Sequence, residues 1–369
     1  MEYWMKKTFI SSLVASVISL STGCRIGSQT TDAGTETVYT ANTSVKNQGQ
    51  IGFCWAYAAV AMIESNFKKK TGRDIDLSEE AIGFFHFSEQ LKAMMDNNLK
   101  FNSNYFNIRE TNSVNRGSNA LGSKSTLALI ERWGLIPESQ WSEKFETQFE
   151  KDFAMKAIKD QFFKMQEKIR GKQNVVQFNQ IFQVLTDSAF VSMPPVDSFN
   201  NGSGTMTSTQ YAKNVIGFNA SDYEDVEIYK SNALTALKPA LQRVKATLAS
   251  GNVVGITISM PSGAARGQRI VANRFVGGIG PYPIGGAHVM VITDFKNKDG
   301  VFGPVPDANA EVNKPFDLGF QLRLKNSWGS ATGYNEFGQV VQTGFYDMDI
   351  GYIADTLDSN GLVIFTFPR

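Results

Sequence analysis

Cysteine is nearly absent from this chain: of 369 residues, only Cys24 and Cys54 are cysteines. One bridge is the most that such a chain can form, so a disulfide framework cannot hold it together. Histidine is equally scarce, with only His86 and His288. Two distant His and two distant Cys have no ligand spacing, and no metal is expected. An excess of one charge is also missing. Lys and Arg total 36 against 35 Asp and Glu, a formal net charge of +1, which argues against a nucleic-acid binder. No glycine-rich phosphate loop follows a strand pattern, so nucleotide binding has no support and no cofactor is expected. Gly is 32 and Pro only 11, so the body is not low-complexity. What the chain does have is apolar substance. It is 42% hydrophobic and 12% aromatic, ample to bury a core, and its length allows one large domain or two intimate ones.

A long apolar run is lacking as well. Phe9 to Leu20 follows a basic Lys6-Lys7 pair and contains only Ser as polar members. It is too short to span a bilayer comfortably and reads as an export signal. It ends in Leu20-Ser21-Thr22-Gly23-Cys24, which resembles a bacterial lipobox, where a small residue precedes the cysteine to be lipidated. The usual Leu three places before the cysteine is Ser21 here. Residues 1–24 are therefore expected to be a signal peptide, with Cys24 lipidated. The mature protein would then sit in the bacterial cell envelope, anchored to a membrane by lipid; the alternative is a periplasmic or secreted form. Residues 25–44 are polar and aperiodic, a tether. The globular part is expected from Val45 to Arg369.

Along that part, Cys54 to Lys70 has apolar residues at a helical rhythm, with Lys68 to Lys70 suiting the last turn. Leu77-Ser78-Glu79-Glu80 looks like a helix entry continuing through Phe84 to Met95. Ser123 to Trp133 is helical, stopped by Gly134 and Pro137. Trp141 to Leu185 reads as two amphipathic helices, Ser192 to Thr209 as a loop, and Asn232 to Leu248 as helix, together a helical insertion over about 139–250. After Gly251 the texture changes to short β-type runs at Val253 to Ile258, Ala287 to Thr293 and Phe320 to Leu324. A helical half followed by a strand-rich half predicts two lobes with a cleft between them.

Three short motifs carry chemistry. Gln48-Gly49-Gln50-Ile51-Gly52-Phe53-Cys54-Trp55 puts a thiol at the start of a helix, where unpaired N–H groups lower its pKa. Gly285-Gly286-Ala287-His288 offers a base at the mouth of a strand. Lys325-Asn326-Ser327-Trp328-Gly329 follows another strand and supplies an amide to hold the base. His86, between Phe85 and Phe87, reads as a core or interface histidine.

These motifs, in this order, resemble those of the papain-like cysteine peptidases, with Gln48 six positions before Cys54 as in that family. The resemblance implies an α+β, two-lobed fold with a helical N-lobe and an antiparallel sheet or barrel as C-lobe. It implies Cys54 as nucleophile, His288 as base, Asn326 as orienter and Gln48 as oxyanion donor. It implies Trp55, Gly117, Ala287 and Trp328 at the substrate, Trp328 also shielding the His–Asn pair. Peptides or proteins would be the substrates.

Two departures matter. Ile51 replaces the family's disulfide cysteine, and Cys54 to His288 spans 234 residues against roughly 130–150 in papain-type enzymes. The texture of the extra residues resembles the bleomycin hydrolase and aminopeptidase C branch, in Leu77-Ser78-Glu79, Trp133-Gly134-Leu135-Ile136-Pro137 and Thr207-Ser208-Thr209-Gln210-Tyr211. That branch trims N-terminal residues because a C-terminal arm enters its active site. Here Gly361 to Phe367 is strand-like and expected to join the sheet, which favours an endopeptidase. About thirty residues separate Cys24 from Cys54, so no long inhibitory propeptide is expected. Aminopeptidase action, acyl transfer to an amine and a non-catalytic peptide-binding protein on the same scaffold are the alternatives.

Overall fold

The computed structural model describes residues 40–48, 53–86, 123–142, 199–200, 204–260, 265–266, 269–270, 287–296, 321–329, 332–334, 340–342 and 344–369. The chain divides into two units, Met1–Thr35 and Glu36–Arg369, and every described residue lies in the second. Cys24, Gly117, Ile51 and most of the expected helices between Trp141 and Leu185 lie outside the described residues.

The helices are α1 (Cys54–Thr71), α2 (79–86), α3 (Ser123–Trp133), α4 (Glu138–Ser142), α5 (Ser208–Gln210, continued by a wider π turn over Tyr211–Ile216), α6 (Ala233–Ala249) and α7 (Gly351–Asn360). Strands β1 (Phe199–Asn200) and β2 (Thr205–Met206) form a small hairpin, and β9 (Thr332–Tyr334) pairs with β10 (Val340–Gln342). Among the described residues the main sheet has eight strands: β3 (Tyr223–Tyr229), β4 (Val254–Ser259), β5 (Ala265–Arg266), β6 (Arg269–Ile270), β7 (Ala287–Lys296), β8 (Gln321–Lys325), β11 (Phe345–Asp349) and β12 (Leu362–Pro368). Their order is β3-β12-β4-β7-β8-β11-β6-β5.

The sheet's alternation sorts the core into two layers. Val289 and Val291 of β7 pack with α1, α2 and α3. Met290 and Ile292, the intervening residues, pack with Leu241 and Val244 of α6 and Tyr352 and Ile353 of α7. Helix α1 is buried on nearly every side, from Cys54 through Ser65, as a helix wedged between other helices and a sheet must be. Its alanines at 56, 58, 59 and 61 keep it thin. Its end is set by Gly72, at φ 70°, whose N–H donates to Lys68 O at 2.8 Å, a left-handed cap that glycine adopts without strain.

Several expectations need correction. The insertion over about 139–250 is not all helix, because β3 lies within it and pairs along its whole length with β12. Its acids Glu224, Asp225 and Glu227 mask the alternation of a strand; Glu224 pairs with Arg243 of α6, and Asp225 accepts from Thr366 of β12. The expected loop at Ser192 to Thr209 contains the β1–β2 hairpin, and Thr207 caps α5 by accepting from Gln210 N. The sheet is not wholly antiparallel: β11 and β6 run parallel. The body also starts before Val45. Thr40 is buried and donates to Thr293 O, and Thr43 donates to Glu64.

β12 pairs with both β3 and β4, so the Gly361 to Phe367 run does join the sheet. Ile258 pairs with His288, and Ile364 pairs with Thr257. The strand therefore leaves the level of His288 at Leu362 and travels away from it towards Pro368.

Gly83 on α2 carries the entry to α1. A Cβ there would lie 2.2 Å from the ring of Phe53, which is only 2% exposed and has no room to swing aside. Gly83→Ala should cost about 1–3 kcal/mol of stability through overpacking. A urea unfolding curve with an unchanged midpoint would show that the ring is not held there.

Candidate active site

Three separate elements carry the motif residues Cys54, His288 and Asn326. Cys54 is the first residue of α1, and its helix start has no side-chain cap; the unpaired N–H groups favour negative charge there. His288 is the second residue of β7, which packs against α1. Asn326 directly follows β8, the neighbour of β7. His288 Nε2 and Asn326 Oδ1 are 2.8 Å apart. Asn326 Oδ1 also accepts from Ser327 N at 2.8 Å, so the amide cannot turn its oxygen away. With Nε2 engaged, the other ring nitrogen is left for the sulfur.

All three groups are buried, His288 at 7% exposure and Asn326 at 2%. Burial pushes the Cys54 thiol up, and His288 opposes this by charge and by hydrogen bond. The main-chain N–H groups of Val289 and Trp55 add to this, and the thiol ends below its usual range. Burial pushes the His288 imidazolium down, yet the charge and hydrogen bond of Cys54 and the bond to Asn326 leave it raised. Both shifts favour the same state, a thiolate beside an imidazolium. Trp328 stacks on the His288 ring with centroids 5.0 Å apart and meets Tyr346 edge-on at 5.7 Å. It is 41% exposed, which makes it a lid on the imidazole with one face left to solvent or substrate.

Gln48 reaches the site by strand-like pairing of its segment with the Asn326 loop. Asn47 bridges Trp328, Gln48 N donates to Ser327 O at 2.7 Å, and Gly329 N donates to Lys46 O at 3.1 Å. Ser327 Oγ donates to Gln48 Oε1 at 2.7 Å. That bond occupies the amide oxygen and leaves the amide nitrogen as the end that can donate to a ligand.

Cys54, His288, Asn326 and Gln48 thus converge, as does Trp328. Trp55 is 6% exposed, between Phe53 at 5.6 Å and His86 at 5.2 Å. It supports the start of α1 from below and does not line the surface as expected for a substrate contact. His86 stands behind Trp55, apart from the His288–Asn326 pair. Ala287 opens β7 opposite Ser259.

Residues that the motif reading passed over lie behind the site. Lys46 Nζ meets Glu64 at 2.9 Å, Asp76 at 2.7 Å and Glu79 at 2.8 Å. Burial opposes its charge, but Glu79, Glu64 and Asp76 outweigh that and raise it well above the usual lysine range. Lys325 Nζ donates to Thr43 Oγ1 at 2.8 Å; burial lowers it to about 8 despite Glu64. The signal for these residues was slight: lysines beside motif residues at 46 and 325, and acids at a helix entry.

Residues 28–83 match the model of the papain family cysteine protease. Over 40 residues the chain is 52% identical to ananain from Ananas comosus, covering 11% of this chain and 12% of that one. Over 83 residues it is 39% identical to the senescence-specific cysteine protease SAG39 of Oryza sativa subsp. japonica, covering 21% and 24%. The matches therefore span about a quarter or less of these relatives. Among solved structures it is similar to PepW from Lactobacillus rhamnosis, with TM-score 0.50 and 14% identity over 92% of this chain and 82% of that one. The chain has a papain-like fold. That likeness reaches beyond the matched sequence, to the β7 and β8 strands that bear His288 and Asn326.

In such a fold the two histidines should separate cleanly. His288→Ala and Cys54→Ala should each abolish turnover of a peptide substrate, by at least about a thousandfold, while unfolding as wild type does. Asn326→Ala should lose less, since it orients the base without moving a proton. His86→Ala should affect stability alone. An inactive but fully folded His86→Ala would reassign the base.

Proposed function

We propose that this chain is a cysteine peptidase that cleaves peptide bonds within unfolded polypeptides. The observation that carries the reading is the Cys54–His288–Asn326 array with Gln48 beside it. The Cys54 thiolate adds to the scissile carbonyl carbon. The resulting oxyanion takes hydrogen bonds from Gln48 Nε2 and the Cys54 N–H, and such a donor is typically worth about 3 kcal/mol of barrier. The His288 imidazolium gives its proton to the leaving amine as the C–N bond breaks. Water then attacks the acyl-enzyme while His288 takes its proton, and the thiolate returns as the acid departs.

Cleavage within chains is favoured by the course of β12. It starts at the level of His288 and runs away from it, held on both sides by β3 and β4. Residues 362–368 are thus committed to the sheet, which favours a cleft open to residues preceding the cut. The enzyme is further proposed to be exported and held to a membrane by lipid on Cys24. The support is the Lys6-Lys7 pair, the short apolar run and Gly23-Cys24.

Matched pairs of peptides test the specificity. An N-acetylated peptide should be cut about as fast as its free-amine counterpart. Strict dependence on a free N-terminus would assign aminopeptidase action, and no cleavage of either by folded protein would reject the peptidase reading.

A further inference from the structure

The peptide unit joining Asn47 to Gln48 is gripped at both ends. Its N–H, from Gln48, donates to Ser327 O at 2.7 Å in the loop that carries Asn326. Its carbonyl, from Asn47, accepts from the Tyr57 hydroxyl at 3.2 Å. Tyr57 stands on α1 three residues after Cys54 and is 5% exposed. The hydroxyl therefore connects the helix that presents the nucleophile to the backbone that presents the oxyanion donor.

We infer that Tyr57 is a positioning residue of the oxyanion hole, its hydroxyl fixing the Asn47–Gln48 peptide and through it the Gln48 amide. The same hydroxyl donates to Glu80 Oε1 at 2.5 Å. A phenol has one proton, so carboxylate and carbonyl share it, with the charged acceptor the stronger. Glu80 in this way orients the hydroxyl, and the hydroxyl orients the peptide. Burial, then Glu80 and Glu79, push Tyr57 well above the usual tyrosine range, so the proton stays on the oxygen throughout the working pH range. Without the hydroxyl, the Asn47 carbonyl loses this donor from α1. Ser327 O and Ser327 Oγ then hold Gln48 from one side only.

The inference rests on the peptidase reading, and the test separates the two. Three quantities are measured on wild type and Tyr57→Phe: kcat and KM for a peptide substrate, Kd for a peptide aldehyde, and the rate of Cys54 alkylation by iodoacetamide. The aldehyde forms a hemithioacetal whose oxygen occupies the oxyanion position; alkylation needs no oxyanion. In Tyr57→Phe, kcat should fall about tenfold with KM within about twofold, and aldehyde affinity should fall by a similar factor. The alkylation rate should not change. A folded Tyr57→Phe with wild-type kcat and aldehyde affinity overturns the inference, and so does alkylation that falls in parallel, which places the damage in the Cys–His pair. Should Tyr57→Phe not fold, Glu80→Gln decides: a neutral amide orients the shared hydroxyl less firmly than the carboxylate does, so aldehyde affinity should fall by about two- to fivefold with the alkylation rate unchanged. Wild-type aldehyde affinity in a folded Glu80→Gln overturns the inference. Wild-type protein inert to both peptide and aldehyde would instead defeat the peptidase reading.

Discussion

A thiolate and an imidazolium buried together are stable only because of each other. Desolvation works against the charge on Cys54 and equally against the charge on His288. Removing either partner leaves the other as an unpaired buried ion, which neutralises by shifting its pKa. Their contact therefore depends on placing two elements far apart in the chain, the first turn of α1 and the start of β7, within hydrogen-bonding reach. Much of the described fold serves that placement: a thin, alanine-rich helix on the sheet, Val289 and Val291 beneath it, and Asn326 on the next strand to fix the ring.

The junction between helix and sheet is also where the structure keeps its other buried charges. Glu64 accepts from Thr43, from Lys46 and from the Leu77 N–H, and Thr43 in turn accepts from Lys325. Residues 40–48 thus run as a strap between α1 and the ends of β7 and β8, and Gln48 is its last described residue. Deleting one partner of a buried pair costs about 3–5 kcal/mol, so this network is stiff. Stiffness is what the oxyanion role proposed for Gln48 requires, because a donor must already be in place when charge develops. A disulfide is not available for the task, with Ile51 where papain relatives have a cysteine; hydrogen bonds and ion pairs tie the strap down.

The residues of the proposed site stand out in the sequence because chemistry constrains residue type and local context together. A cysteine at a helix start after Gln48, a histidine opening a strand and an asparagine closing one leave few alternatives. The helices at 54–71, 123–133 and 233–249 and the strands β4, β7, β8 and β12 were readable from periodicity. β3 was not, since its acids, two of them held by Arg243 and Thr366, hide a period-two pattern, and β11 with α7 was not, since Phe345–Asp349 is short and mixed. Trp55 was misplaced because sequence adjacency to Cys54 says nothing about which way a helical side chain points. Tyr57 and Ser327 were invisible as functional residues, because their roles arise from hydrogen bonds to main chain or to Gln48 across the junction.

The resting site is expected to hold a thiolate paired with imidazolium, and the pH dependence of Cys54 alkylation reads that state directly. The lowered thiol and the raised imidazole widen the pH range in which thiolate and imidazolium coexist. The rate of Cys54 modification by iodoacetamide should therefore fall between pH 8 and pH 6 by clearly less than an ordinary thiol's does, and His288→Ala should restore the steeper decline. An ordinary thiol titrating near its usual pKa would instead slow about a hundredfold between pH 8 and pH 6. That steep decline in the wild-type protein would contradict the ion pair and the mechanism built on it.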